Sequence, residues 1–325
     1  MTTSPDAAGG GAAGGKPQRT FSLIIPVFFN AETLPALFVA LRAFEAELAG
    51  LGLRLELIFV DDGSRDASFD QLMGFRASRE GTKVVRLSRN FGAPAAVKAG
   101  MRFVTGDCFM FFAADLQEPL EQVLLMVQQW IAGRKLVLST RRSRGDPAAT
   151  RAFAALFRTL VRFFVRSDFP HGGIGLVLMD RVMLQPMLNS TKNINPNVYA
   201  FWLGFDPAIL EYDRAARPSG RSRWTFGKKF QYMIDTLTGF SVVPIRVMSA
   251  IGLVTAIISF AYAVRIVIAA LAGEIAVSGF ATIVTVNAFL GGCMLFMLGV
   301  IGEYLWRTFD QVSGRPEAVV AEEHL

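Results

Sequence analysis

The chain has 325 residues, 52% of them hydrophobic, with a formal net charge of +6 and a mean hydropathy of +0.39. That length admits one large domain or two smaller ones, and the apolar excess sets the chain apart from an ordinary soluble enzyme. Two cysteines (Cys108, Cys293) and two histidines (His171, His324) exclude a disulfide framework and a structural zinc centre, and leave little for Ser-His or Cys-His catalysis.

Residues 1–20 form a Gly/Ala-rich tail that is expected to be disordered and lacks the apolar stretch of a secretory signal. Gly9, Gly11 and Gly14 spell G-x-G-x-x-G, and Gly10, Gly15 and Lys16 approach a P-loop. No strand precedes either, and Pro17 stands where a P-loop needs Ser or Thr. From residue 21, short apolar runs alternate with amphipathic ones. Residues 21–27, 55–60, 83–87, 108–113 and 135–139 predict buried strands, and 34–48, 71–78, 93–104 and 120–132 predict helices. The first helix rests on Leu34, Leu37, Phe38, Leu41, Phe44 and Leu48 at helical spacing. The alternation predicts an α/β fold over 21–220, a doubly wound, Rossmann-like, mostly parallel sheet whose ligands bind outside the carboxyl ends of the strands.

Those ends carry the unusual residues. Pro26 is followed by Asn30 and Glu32; the second strand ends in Asp61, Asp62, Gly63, Ser64 and Asp66; the third in Ser88, Arg89, Asn90, Phe91 and Gly92; the fourth in Asp115, Gln117 and Glu118. One Asp-Gly turn is an ordinary cap or turn, but four polar strand ends on one sheet edge point to a site. An acid at one end suits a base or ribose, and an acid at another suits a divalent cation held against a diphosphate.

The last third changes character. Residues 224–240 place Phe226, Phe230, Met233, Leu237 and Phe240 on one helical face, so the 221–246 segment reads as an amphipathic helix lying in a membrane interface or packed on its own domain. Residues 247–264 are an apolar run ended by Arg265, and 280–301 are a second run without charge. Two such runs predict a transmembrane hairpin within 247–305, because about 20 residues span the hydrocarbon, with Arg265 snorkelling at one interface. Arg221, Arg223, Lys228, Lys229 and Arg246 precede the first run, and Arg307 and Arg315 follow the second, in the 306–325 tail. The positive-inside rule therefore predicts a multi-pass protein of the cytoplasmic (inner) membrane, with the catalytic domain and both termini in the cytoplasm.

The ordered set "SLIIPVFFNAETL", "FVDDGSRD", "LSRNFG", "DLQEP", "RPSGRSRW" and "GVIGEYLWR" resembles the polyprenyl-phosphate glycosyltransferases, inverting family-2 enzymes of GT-A fold with a C-terminal two-helix membrane anchor. The resemblance covers about residues 20–316. It implies transfer of a sugar from a nucleotide-sugar donor, a UDP-sugar foremost, to undecaprenyl or another polyprenyl phosphate, with membrane lipids as partners, no nucleic acid and a homo-oligomer such as a tetramer. It implies that Asp61 and Asp62 lie near the base and ribose, with Pro26, Glu32 and Asn90 in the same pocket. The family's metal pattern Asp-x-Asp-x-Gln is matched by Asp115 and Gln117, which would hold Mg2+ or Mn2+, but Ala113 replaces the first Asp. Arg141, Arg151, Arg217, Ser222 and Arg223 supply cations and a hydroxyl for phosphate, with Arg141 and Arg217 clamping the reacting groups beside Asp115. Arg142 and Arg144 fit a solvated charged face as well as a phosphate site, and Asp180–Arg181 fits an ion pair or helix cap.

Relatives often carry an acid near Gly175, which an alcohol acceptor needs as a base. A lipid phosphate is already anionic and needs placing rather than deprotonation. The rival expectation is a non-catalytic membrane scaffold that kept the fold and lost the metal, for which Ala113 is the argument. Gly291, Gly292 and Gly299 would permit close helix contact within an oligomer.

Overall fold

The computed structural model describes residues 18–141, 148–192, 194–212, 226–273 and 279–325. Its first elements alternate as the apolar runs require: β1 (Arg19–Val27), α1 (Leu34–Gly50), β2 (Leu53–Asp61), α2 (Ser68–Ala77), β3 (Thr82–Leu87), α3 (Ala93–Met101) and β4 (Cys108–Phe111). Then come α4 (Leu120–Ile131), β5 (Leu136–Arg141), α5 (Ala148–Phe164), β6 (Val177–Asp180), α6 (Leu184–Leu188), α7 (Pro196–Trp202) and β7 (Pro207–Tyr212). The chain continues through α8 (Phe226–Phe240), α9 (Val243–Leu271) and α10 (Phe280–Val312) to β8 (Val320–His324). The strand order is β7-β5-β6-β4-β1-β2-β3-β8. β1 pairs in parallel with β2 and β4, and β2 in parallel with β3; β6 and β8 run antiparallel to β4 and β3.

The chain falls into two compact units. The first comprises Met1–Val137, Leu178–Leu184 and Val320–Leu325. Strands β1 and β2 are almost wholly buried, as expected for parallel strands covered on both faces. Helix α3 lies so close to them that a Cβ on Gly100 would stand 2.6 Å from Ile24 Cγ2 and 2.8 Å from Val60 Cγ2. On the same sheet, Phe38 stacks on Phe75 at 4.2 Å, and Phe59 meets both edge-on.

Glu56, 6% exposed, is a charged side chain buried within this packing. Its carboxylate accepts from Ser22 Oγ (2.5 Å), Thr105 N (3.0 Å) and Thr105 Oγ1 (2.6 Å), and pairs with Lys83 Nζ at 2.8 Å. Burial works to raise its pKa, but these donors outweigh burial and hold it below the usual value. Asp180 and Arg181 have structural roles here. Asp180 accepts from Trp130 Nε1 (2.8 Å) and from Val182 N (3.0 Å), and Arg181 bonds the Thr105 and Gly106 carbonyls.

Residues 306–325, expected to be a tail, instead continue α10 through Val312 and set Val320–His324 against the outer edge of β3. Few signals in that stretch announce a strand, because its pattern of exposed acids lacks apolar alternation. The expected helix at 93–104 stops at Met101.

The second unit comprises Leu138–Val177 and Gln185–Val319. Helices α9 and α10 are long and apolar enough to cross a membrane, with windows Ile245–Tyr262 (mean hydropathy 1.8) and Phe289–Val312 (1.6) in which no residue is buried. Phe260 and Leu295 are each 72% exposed. An apolar groove of about 330 Å³ runs between the two helices, lined by Met248, Gly252, Leu290, Cys293 and Met297 among others. Gly291, Gly292 and Gly299 meet nothing within 4 Å of a Cβ position among the described residues. The polar end of α10 is tied down: Arg307 Nη2 bonds Asp235 Oδ1 at 2.5 Å and Glu303 Oε1 at 2.9 Å.

The apolar face of α8 is divided. Met233 and Leu237 are buried and Phe240 lies near Tyr199 and Trp202, while Phe230 is 48% exposed. Helix α5 also turns Leu156 and Phe163 outward, at 51% and 75% exposure.

Candidate active site

Parallel pairing of β3, β2, β1 and β4 brings their carboxyl ends to one edge of the sheet in the first unit. The loop after β1 is held to the loop after β2 by three amides: Phe29 N donates to Ser64 Oγ (3.1 Å), Asn30 N to Ser68 Oγ (2.9 Å) and Ala31 N to Asp66 Oδ2 (3.3 Å). Phe29 takes a left-handed φ of 53°, a conformation that is uncommon for a bulky residue and concentrates at functional sites. Pro26 is half-buried at this edge, and Glu32 and Asn90 are exposed on its loops.

Asp61 and Asp62, adjacent in sequence, have different work. Asp62 is 2% exposed, and its two oxygens accept from Phe91 N (2.7 Å) and Gly92 N (2.9 Å), bracing the loop that follows β3. Gly63 (φ 71°) belongs to the same brace, because a Cβ there would lie 2.7 Å from the Arg89 carbonyl carbon. Asp61 is completely buried and accepts from Ser64 N at 3.2 Å through Oδ1. Its Oδ2 makes no hydrogen bond among the described residues and faces Arg86 Nε at 3.5 Å. Burial raises the pKa of both carboxyls, opposed at Asp61 by Ser64 and Arg86 and at Asp62 by the Phe91 and Gly92 amides. Of the pair, Asp61 has an oxygen with no hydrogen-bond donor among the described residues, whereas each Asp62 oxygen already accepts a backbone amide.

Past β4, Phe112 N donates to Ile24 O (2.9 Å) and carries the chain alongside β1 into Ala113–Pro119. Ala113 is exposed, Asp115 half-buried, and Gln117 and Glu118 buried. Leu116 has φ 52°, and Gln117 N closes a short turn onto Asp115 Oδ1 at 3.3 Å. Among the described residues no group of three or more His, Cys, Asp or Glu side chains is placed to hold a metal. Asp115 and Gln117 offer hard oxygen donors of the type Mg2+ and Mn2+ prefer, but too few for a free-standing site. They fit a cation that takes its remaining ligands from a diphosphate and water.

In the second unit, Arg141 closes β5 and donates from Nε to Tyr212 Oη at 3.3 Å. The same hydroxyl closes off position 175: a Cβ on Gly175 would lie 2.5 Å from Tyr212 Oη and 3.1 Å from Ser139 O. The space a side chain at position 175 would enter is therefore taken by the Tyr212 phenol. Arg151 is exposed on α5. Arg142, Arg144, Arg217, Ser222 and Arg223 lie outside the described residues. Tyr212, Arg86 and the two left-handed residues escape the sequence reading because each matters through a partner or a backbone angle, not through a motif.

Residues 22–185 match the family described as glycosyl transferase family 2. The chain belongs to glycosyltransferase family 2. An uncharacterized glycosyltransferase of Synechocystis sp. is 32% identical to this family-2 transferase over 304 residues, 93% of this chain and 94% of the relative. The SfII prophage-derived bactoprenol glucosyl transferase of Shigella flexneri is 30% identical over 305 residues, 93% of this chain and 98% of that one. Among solved structures, glucosyl-3-phosphoglycerate synthase from Mycobacterium tuberculosis in complex with Mn2+ and uridine-diphosphate-glucose superposes with a TM-score of 0.51 at 22% identity. That match covers 69% of this chain and 79% of the synthase. It shows a common fold for the family-2 transferase and that synthase.

Proposed function

We propose that this family-2 transferase moves a sugar, glucose foremost, from a UDP-sugar to undecaprenyl or a similar polyprenyl phosphate at the cytoplasmic face of a membrane. The observation that carries the acceptor is Gly175 packed under Tyr212, which leaves no space for a base at that position. An alcohol acceptor needs that base, and a phosphate monoester already carries its negative charge. The similarity to a bactoprenol glucosyl transferase over 93% of the chain supports the same acceptor.

The reaction is an in-line displacement. A phosphate oxygen of the lipid attacks the anomeric carbon, the bond to the nucleoside diphosphate breaks, and the configuration inverts. Asp61 accepts from the base or ribose, beside Pro26, Glu32 and Asn90. Arg141 balances phosphate charge, and Arg151, Arg217, Ser222 and Arg223 hold the acceptor head. A divalent cation, when bound, would sit on the Asp115 carboxylate and Gln117 carbonyl and neutralise the departing diphosphate.

The membrane assignment draws on α9 and α10, with the outward apolar residues of α5 and α8 as surface contacts. Pairing of β8 with β3 supports a hairpin that leaves and returns on one side, and the flanking Arg and Lys residues favour the cytoplasmic side.

The test is purified full-length protein in liposomes, given undecaprenyl phosphate and a panel of UDP- and GDP-sugars with and without Mg2+ or Mn2+. Cation-dependent glucosylation of the lipid is expected. Equal turnover in excess EDTA, or preference for a water-soluble alcohol, overturns the reading. Nucleotide-sugar binding with no turnover on any acceptor would favour the scaffold instead.

A further inference from the structure

Three side chains from three adjacent strands form a row on the first unit's sheet. Asp61 on β2 is the register partner of Arg86 on β3, and Arg86 is the register partner of Glu322 on β8. The charges alternate along the row. Arg86 Nη1 bonds Glu322 Oε1 at 3.1 Å, its Nε stands 3.5 Å from Asp61 Oδ2, and its guanidinium lies 4.3 Å over the ring of Phe69. β8 is also pinned at its far end, where Arg76 Nη2 donates to the Leu325 backbone oxygen at 2.6 Å.

We propose that Arg86 is a positioning residue for nucleotide binding and that Glu322, on the strand that follows the apolar hairpin, sets its geometry. The inference rests on the reading of Asp61 as the acceptor for the donor's base or ribose. Asp61 Oδ2 is buried and makes no hydrogen bond among the described residues, which is costly unless a ligand donor completes it. Left alone, Arg86 would close on that oxygen with two N–H groups, the favoured geometry of an arginine–carboxylate pair, and so compete with the ligand. Glu322 draws Nη1 the other way, and the Phe69 ring limits rotation of the guanidinium plane. What remains over Asp61 is a cation just beyond hydrogen-bond reach. It favours the ionised carboxylate and leaves the oxygen open. Donor affinity is thereby coupled to a strand that the chain reaches only after both apolar helices.

The test measures UDP binding by titration calorimetry to the full-length protein in detergent, with donor and lipid kinetics beside it. Glu322→Ala is expected to weaken UDP about fivefold, the scale of one partly exposed charge pair, raising the donor KM and leaving kcat and the lipid KM unchanged. Glu322→Asp should recover most of the affinity. Arg86→Gln with Glu322→Ala should be no weaker than Arg86→Gln alone, since Glu322 acts only through Arg86. UDP affinity in Glu322→Ala within about twofold of the parent, or a loss that falls equally on kcat and the lipid KM, overturns the proposal. Asp61→Asn separates the two levels. If it leaves UDP binding unchanged, the donor-site reading fails and takes this inference with it. If it weakens UDP while Glu322→Ala does not, only the inference fails.

Discussion

The hydroxyl of Tyr212 occupies the space that a side chain at position 175 would need, with a Cβ there only 2.5 Å from Oη. Gly175→Ala is therefore expected to lose about 1–3 kcal/mol of stability through overpacking, read by denaturant unfolding. Tyr212→Phe in the same chain should recover part of the loss. Gly175→Asp should not confer activity on alcohol acceptors, because the carboxylate has no room to reach one. A gain of that activity would contradict the packing described.

Asp62 holds the loop after β3 through two amides. Asp62→Asn presents an NH2 to at least one N–H donor and should cost about 2 kcal/mol, the range for charged hydrogen bonds. Amide exchange at Phe91 and Gly92 should accelerate, and UDP affinity should fall with it. Unchanged exchange at those two amides would remove the brace from the account.

Glu56 makes a pH prediction whose sign is fixed by its lowered pKa. A carboxylate with a depressed folded pKa gives stability above its unfolded pKa and loses it as pH falls through the folded value. Glu56→Gln should therefore destabilise the protein at neutral pH, by about 2 kcal/mol if the Lys83 pair and the hydroxyl donors behave as partly buried charged bonds. The gap between parent and variant should close as the pH drops below the ordinary glutamate range. A gap constant from neutral pH into acid would refute this assignment.

At the fourth strand end, Asp115→Ala should reduce turnover at least about a hundredfold, as removal of a carboxylate from a charge-neutralising site. Ala113 is exposed, so Ala113→Asp fits without repacking and adds a second carboxylate. Mn2+ affinity without nucleotide should rise about tenfold, since ligand charge sets the strength of such sites. Calorimetric titration of Mn2+ checks it. No change would place Ala113 away from the cation.

The sheet was legible because buried parallel strands are written as continuous apolar runs, as in residues 57–60, and because α1 repeats its leucines at helical spacing. The polar strand ends were legible for the same reason, since Asp61 and Asp115 interrupt such runs. The division of labour between Asp61 and Asp62 was not, because it depends on where the amides of Phe91 and Gly92 fall. The packing of Gly175 was not legible, because the Tyr212 hydroxyl against it lies far along the chain. Arg86 looked like an ordinary strand residue, since Glu322 is 236 positions away and sits in a stretch with no strand pattern.

The pairing of β8 with β3 also orders events at the ribosome. Val320–His324 is synthesised after every residue of α9 and α10, so until then the outer edge of β3 stands without its neighbour. A nascent or prematurely terminated chain would display that bare edge, a template for strand addition by another molecule. Once Val320–His324 has been made, its pairing with β3 covers that edge. For this fold, β8 is the element that keeps the outer edge of β3 from acting as such a template.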